Sequence, residues 1–151
     1  QIAAAASKSW DVGGTGSDRI FVGLGADTVV GGDGNDRIYS GSGKDYLLGG
    51  LGYDDFVFER MSDAGLGASK DTIASFRSGV DDIDLRMIDA NIDRGGDQAF
   101  NFIGSRDFTD RAGQLRYVDG VLQADVDGDG GADFAISLQG SPSITAADIL
   151  L

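Results

Sequence analysis

Cysteine and histidine are absent from this 151-residue chain, and proline occurs once, at Pro142. Without cysteine there is no disulfide framework of the kind that small extracellular domains often use. Metal would have to supply the staples instead. Without histidine there is no His-Glu-x-x-His zinc site and no Ser-His-Asp or Cys-His arrangement. Chemistry through carboxylates alone stays open in principle, although metal ligation is the better use of the acidic residues found here. Cationic residues are scarce: 12 Lys and Arg stand against 25 Asp and Glu, for a net charge of −13. That balance argues against nucleic acid and anionic membrane surfaces as partners. It fits a protein completed by cations. Long apolar runs are missing too. The stretch Ile2 to Ala6 is too short for a signal peptide and lacks its flanks, and nothing in the sequence predicts membrane insertion. The first residue, Gln1, is expected to mark a cut.

What the chain has in excess is glycine, and much of it lies on a strict period. Residues 13–57 divide into five blocks of nine with no insertion: 13–21, 22–30, 31–39, 40–48 and 49–57. Every block has Gly at its second and fourth places. Every block has Asp at its sixth: Asp18, Asp27, Asp36, Asp45 and Asp54. The eighth place is always large and apolar: Ile20, Val29, Ile38, Leu47 and Phe56. A fixed period means a stacked solenoid, and the nine-residue form is the signature of a calcium-binding parallel β-helix. The last three places form a short strand whose middle residue faces one way and its neighbours the other. Two blocks make one turn of the coil, so odd blocks stack on odd and even on even. Ile20, Ile38 and Phe56 are then predicted to line one inner wall, and Val29 and Leu47 the other.

The chemistry follows from the residue types. Glycine reaches φ values closed to other residues, so carbonyl oxygens can converge on a small space where the Asp adds a charged one. Calcium takes about six to eight such oxygens in a flexible shell. Stacking without ions would bring Asp18 near Asp36 and Asp36 near Asp54, and buried like charges are costly. A flexible glycine-rich linker describes that calcium-free condition, but a linker needs neither Asp nor an apolar residue on a strict period. A phosphate loop fits poorly: after Gly43-Lys44 comes Asp45, where Ser or Thr belongs, and Ile38 stands where the leading Gly should be.

Residues 1–12 read as a lead-in, with Trp10 and Val12 placed to cap the open end of the first coil; a frayed segment is the commoner alternative. Residues 13–57 are the roll, and residues 58–151 a further β region. Met61 to Lys70 reads as a polar loop. The segments 71–76 and 82–85 read as short strands joined by a turn at Ser78-Gly79. One-turn helices are expected at 87–91 and 108–112. The segments 114–118, 121–126 and 133–138 read as successive antiparallel strands, with Asp119-Gly120 as a hairpin signal. The sequence Asp125-Val-Asp-Gly-Asp-Gly130, with Asp133 beyond, matches the opening of an EF-hand loop. Its twelfth place is Ile136 and not Glu. An acidic β-hairpin is therefore the favoured reading.

The repeats do not stand alone. Asp71-Thr-Ile-Ala-Ser-Phe76, Gly79-Val-Asp-Asp-Ile-Asp-Leu85, Asp97-Gln-Ala-Phe-Asn-Phe-Ile-Gly104, Ala112-Gly-Gln-Leu-Arg-Tyr117, Gly128-Asp-Gly-Gly-Ala-Asp-Phe-Ala-Ile136 and Ile144-Thr-Ala-Ala-Asp-Ile-Leu-Leu151 accompany them. Together they resemble the C-terminal domain of serralysin-type secreted metalloproteases, a module similar to one in other type I secreted proteins. The resemblance covers nearly the whole chain. It implies an all-β fold: a parallel β-roll of calcium-binding nonapeptide repeats merged with a C-terminal antiparallel β-sandwich. It implies a non-enzymatic module that folds on calcium outside the cell, in a secreted, extracellular protein. Its partners would be calcium, a type I secretion transporter during export, and an upstream domain, with a zinc protease as parent. Asp148 before Ile149-Leu150-Leu151 matches the family's C-terminal export signal. The alternative is a surface- or polysaccharide-binding adhesion module, using the outer columns Phe21–Tyr39–Val57 and Val30–Leu48.

The same resemblance implies a ligand set of three or more calcium ions. One loop gives carbonyls from its first and third places, the loop two blocks later from its second and fourth, and both give the Asp. Gly13, Thr15 and Asp18 then pair with Gly32, Gly34 and Asp36. Gly31, Asp33 and Asp36 pair with Gly50, Gly52 and Asp54. On the other side Val22, Leu24 and Asp27 pair with Gly41, Gly43 and Asp45. Val22 and Ser40 replace the first Gly of their blocks, a place that gives only a carbonyl. Asp71 matches a further family ligand and Asp63 is a weaker candidate. A solvated Asp is the alternative for each.

Overall fold

The structure, a computed structural model, describes residues 1–3 and 8–151. The nonapeptide period sets its first half. Strand β1 (Ile2–Ala3) is followed by β2 (Trp10–Thr15), β3 (Arg19–Phe21), β4 (Leu24–Gly25), β5 (Thr28–Asp33), β6 (Arg37–Tyr39), β7 (Ser42–Gly43), β8 (Tyr46–Leu51) and β9 (Asp55–Val57). Strands one coil apart pair in parallel. Ile20, Ile38 and Phe56 share one register column, and Val29 and Leu47 share another. All five are fully buried, so the two inner walls are those the period predicts. Trp10 and Val12 do not cap the coil. They lie on the edge strand β2, with Val12 in the outer column beside Val30, and are 71% and 51% exposed. The lead-in at residues 4–7 lies outside the described residues.

Parallel stacking continues past Val57. A short helix, α1 (Met61–Ala64), precedes β10 (Asp71–Ala74) and β11 (Asp82–Asp84). Strand β10 adds to β8 and β11 to β9, both in parallel, which sets Ile73 beside Leu47 and Ile83 beside Phe56. The Ser78-Gly79 turn therefore carries the chain from one wall to the other and closes no hairpin. Next come β12 (Asn101–Phe102), β13 (Gln114–Val118), β14 (Val121–Asp125), β15 (Phe134–Leu138) and β16 (Ile149–Leu150). Strands β13, β14 and β15 form an antiparallel meander. Its first turn, Asp119-Gly120, has φ of 50° and 78°, the left-handed pair that a two-residue hairpin needs. Strand β15 then lies parallel to β10, so roll and meander share one eight-stranded sheet. Strand β16 closes the edge of the six-stranded sheet beside β11. The core between the sheets is one continuous apolar cluster that includes Phe56, Phe58, Leu115, Leu122 and Phe134.

The two expected helical turns are irregular instead. Asp89 Oδ1 accepts from the Asn91 and Gln98 N–H groups, and Gln114 Oε1 accepts from Thr109 N–H. Local side-chain bonds of this kind compete with helix formation. The helix forms in the segment read as a loop, where Asp63 Oδ2 accepts from Arg60 N–H at 3.0 Å and supports its first turn. Among the described residues no helix is long and apolar enough to cross a membrane.

Candidate metal centres

The sixth-place aspartates build two ladders. On the odd side Asp18 N–H donates to Asp36 Oδ1 at 2.9 Å, and Asp36 N–H to Asp54 Oδ1 at 3.0 Å. On the even side Asp27 N–H donates to Asp45 Oδ1 at 2.8 Å, and Asp45 N–H to Asp71 Oδ1 at 2.7 Å. The second oxygen is left over. Oδ2 of Asp18, Asp27, Asp36, Asp45, Asp54 and Asp71 is buried with no hydrogen-bond partner. Buried polar atoms nearly always have partners, and an uncompensated buried carboxylate is costly. Two rows of such oxygens fit cations.

Backbone carbonyls complete each gap. Places two and four face the next coil: a Cβ added at Gly32 would strike the Gly14 oxygen, and one at Gly34 the Gly16 oxygen. On the odd side, places one and three face the preceding coil. The Gly31 oxygen lies against Gly13 and the Gly49 oxygen against Gly31. The Asp33 oxygen accepts from Gly16 N–H and the Leu51 oxygen from Gly34 N–H, both at 2.7 Å. Gly32 and Gly34 have φ of 115° and 129°, a region that side chains other than hydrogen disfavour. The gap between blocks one and three thus receives Gly14, Gly16 and Asp18 Oδ2 from below and Gly31, Asp33 and Asp36 Oδ1 from above. The next gap receives Gly32, Gly34 and Asp36 Oδ2, then Gly49, Leu51 and Asp54 Oδ1. Three oxygens from each side reach the lower end of calcium's coordination range.

On the odd side this polarity is opposite to the pairing drawn from the sequence, whereas on the even side the Val22 oxygen does face the next coil. Gly13 and Thr15 occupy backward-facing places and turn away from block three. Gly32 and Gly34 face block five, while Gly31 and Asp33 face block one. Gly50 and Gly52, at forward-facing places, look beyond the last repeat. On the even side the Val22 and Gly23 oxygens lie against Gly41, and the Gly25 oxygen against Gly43. Leu24 is exposed on its loop. Gly14, Gly16, Gly23, Gly25, Gly49 and Leu51 were missed, because a repeat read as letters has no direction along the stack.

The even ladder ends at Asp71, with Asp63 near enough to act electrostatically on both Asp45 and Asp71. Neither Asp63 nor Asp71 is solvated: they are 5% and 0% exposed. Asp63 also accepts from Ser42 Oγ at 3.0 Å. Burial pushes the Asp45 and Asp54 carboxyls up to about 6 and Asp71 up to about 9, with the neighbouring aspartates adding to it and backbone N–H bonds opposing it. Asp36 is raised for the same reasons. A carboxyl whose folded pKa lies above its unfolded value costs stability as pH rises through that range. Ligation requires the ionised form. The unfolded, calcium-free chain keeps its carboxyls near their ordinary pKa of about 4, so the calcium midpoint for folding is expected to stay level between about pH 8 and 5 and to rise steeply below about pH 5, where ligation has to displace protons. A midpoint that stays level down to about pH 3, measured by titration in weakly buffered solution, contradicts the ladder assignment.

At 125–133 the structure forms a hairpin, as favoured. Asp125, Asp127 and Asp133 still bring carboxylate oxygens within 4.8 Å of one another. Asp125 accepts from Gly128 N–H at 2.6 Å and Gly130 N–H at 3.0 Å, and Asp133 from Val126 N–H at 2.7 Å. Those oxygens organise the turn.

Parallel coils carrying paired carboxylate ladders define a class: repeat-built rolls stabilised by metal in their loops. The family described as peptidase M10 serralysin C terminal matches residues 1–151. The chain belongs to that calcium-binding family. Among solved structures it is similar to the AlgE6R3 subunit of the Azotobacter vinelandii mannuronan C5-epimerase. That likeness has 25% identity and a TM-score of 0.67, and covers 97% of this chain and 80% of the other. The AlgE6R2 subunit of the same enzyme is also 25% identical, with a TM-score of 0.65, covering 99% and 91%. A comparison with curated proteins gives no match.

Proposed function

We propose that this chain is the calcium-folded export module of a secreted protein, with calcium held in the gaps of both ladders. The carrying observation is the row of buried, unpartnered Oδ2 atoms facing directed carbonyls. When bound, calcium supplies positive charge that neutralises these oxygens. The chain's own residues do the rest. Glycines turn the carbonyls, and the Asp N–H groups fix one oxygen of each carboxylate so that the other points into the gap. Inside the cell, where calcium is scarce, the acidic repeats stay unfolded and exportable; outside, ions at millimolar level fold the roll. The parent is a serralysin-like protease, and the module itself does no catalysis.

The export signal is assigned to the terminal segment, Asp148 to Leu151. In the folded state Asp148 is buried and accepts from Gly79 N–H at 2.6 Å, Thr145 N–H at 2.7 Å and Ser78 Oγ at 2.9 Å. Burial raises its pKa, but these bonds outweigh it and hold the carboxyl below its ordinary value. A transporter would read the segment before it packs. Deleting 148–151 is expected to abolish export from cells carrying a type I transporter. Export of the truncated chain at full yield removes the signal assignment.

A polysaccharide-binding role is the second reading. It is favoured by the outer stack of Phe21 on Tyr39, with ring centroids 4.4 Å apart and Arg19 and Arg37 beside them. The epimerase subunits among its structural relatives point the same way. Retention of the calcium-loaded chain on immobilised acidic polysaccharide, lost in Tyr39→Ala, tests it.

A further inference from the structure

The odd ladder runs one step beyond the repeats. Asp54 N–H donates to Asp81 Oδ1 at 3.3 Å, as Asp36 N–H does to Asp54 Oδ1 one coil earlier. Asp81 therefore stands where the next sixth-place Asp would. The gap it closes contains the Arg77 guanidinium. Arg77 Nη2 donates to the Gly52 carbonyl and to Asp81 Oδ1, the latter at 2.9 Å, and lies 3.6 Å from Asp54 Oδ2. Those three oxygens are the counterparts of the Gly34 carbonyl, Asp36 Oδ2 and Asp54 Oδ1 in the gap before. Arg77 Nε and backbone N–H both donate to Asp81 Oδ2, at 3.2 and 2.8 Å. The carboxylates of Asp54 and Asp81 are 0% and 2% exposed, so the guanidinium neutralises buried charge.

We propose that Arg77 is a built-in cation that takes the position of an ion in the third odd gap and ends the calcium ladder on that side. The proposal rests on the calcium reading above and adds an asymmetry to it. Among the described residues no Lys or Arg forms an ion pair with Asp45, Asp63 or Asp71 at the even end. That end depends on a bound ion, whereas the odd end carries its own. An arginine suits the task because it stays protonated at any working pH and presents several donors in a fixed plane. The turn that holds it is anchored in turn, since Ser78 and Gly79 both donate to Asp148.

Two measurements test this. In a crystal of the unaltered chain grown in millimolar calcium, ions are expected between blocks one and three and between blocks three and five. None is expected between Gly52, Asp54 and Asp81. An ion in that third gap overturns the proposal, and no ion anywhere in the roll overturns the calcium reading instead. In solution, Arg77→Met is expected to raise the calcium midpoint for folding about fivefold, because Asp54 and Asp81 lose their cation. Arg77→Lys is expected to recover most of that shift by restoring the charge. Equal midpoints for the unaltered chain and Arg77→Met, or a Lys variant as impaired as the Met variant, overturn the charge role. If Arg77→Met does not fold at any calcium level, the crystal decides.

Discussion

In chelator, the far-ultraviolet circular dichroism of this chain is expected to be that of a largely disordered polypeptide, and millimolar calcium is expected to convert it to a β spectrum. The magnitudes decide this. Both inner walls are fully buried, but each turn that builds them also buries an Asp with an unpartnered oxygen. The effective cost of burying an unpaired charge is several kcal/mol per ion, on the order of 3–5. A domain's net stability is about 5–15 kcal/mol. Two or three unneutralised aspartates suffice to cancel it, and of the six ladder aspartates with an unpartnered oxygen, five remain once Asp54 is set aside with Arg77. With no cysteine to cross-link the unfolded state, metal-binding free energy becomes folding free energy. Magnesium is expected to fail, because it keeps its waters and demands a tighter octahedron. Superimposable spectra in chelator and in calcium would sink the reading.

The roll was legible because two signals repeat together: the apolar eighth place and the Asp two residues before it. Where the nine-residue frame lapses, the strands were seen but their partners were not. The segments 71–74 and 82–84 alternate equally well in a parallel or an antiparallel sheet, since side-chain period is the same in both. A usable signal was present. Asp71-Thr-Ile73 and Asp81-Asp-Ile83 repeat the Asp-x-Ile spacing of Asp18-Arg-Ile20 and Asp36-Arg-Ile38. That spacing marks both as extra coil steps, and it would have found Asp81. Arg77 has no such signal. Its role comes from a side chain reaching across to another coil, which neither the period nor the local sequence encodes.

Among the repeat aspartates, Asp36 is expected to matter more than Asp18. Its Oδ1 accepts from Asp18 N–H in the gap between blocks one and three, and its Oδ2 faces the gap between blocks three and five. It serves two sites. Asp18 has one oxygen in the first gap and no repeat block before its own on that side. Asp54 shares the second gap but turns its other oxygen toward Arg77, which keeps Asp81 as its partner when Asp54 is lost. Asp36→Ala therefore removes a carboxylate from two neighbouring sites at once. Deleting one member of a buried charged cluster costs about 3–5 kcal/mol, and here both flanking ions lose a ligand. The calcium midpoint is expected to rise further for Asp36→Ala than for Asp18→Ala, with Asp54→Ala between them. Circular dichroism is the suitable probe, because the single tryptophan, Trp10, is 71% exposed on an edge strand and reports poorly on the loops. Equal midpoints for Asp36→Ala and Asp18→Ala contradict the stacking of blocks one, three and five on shared ions.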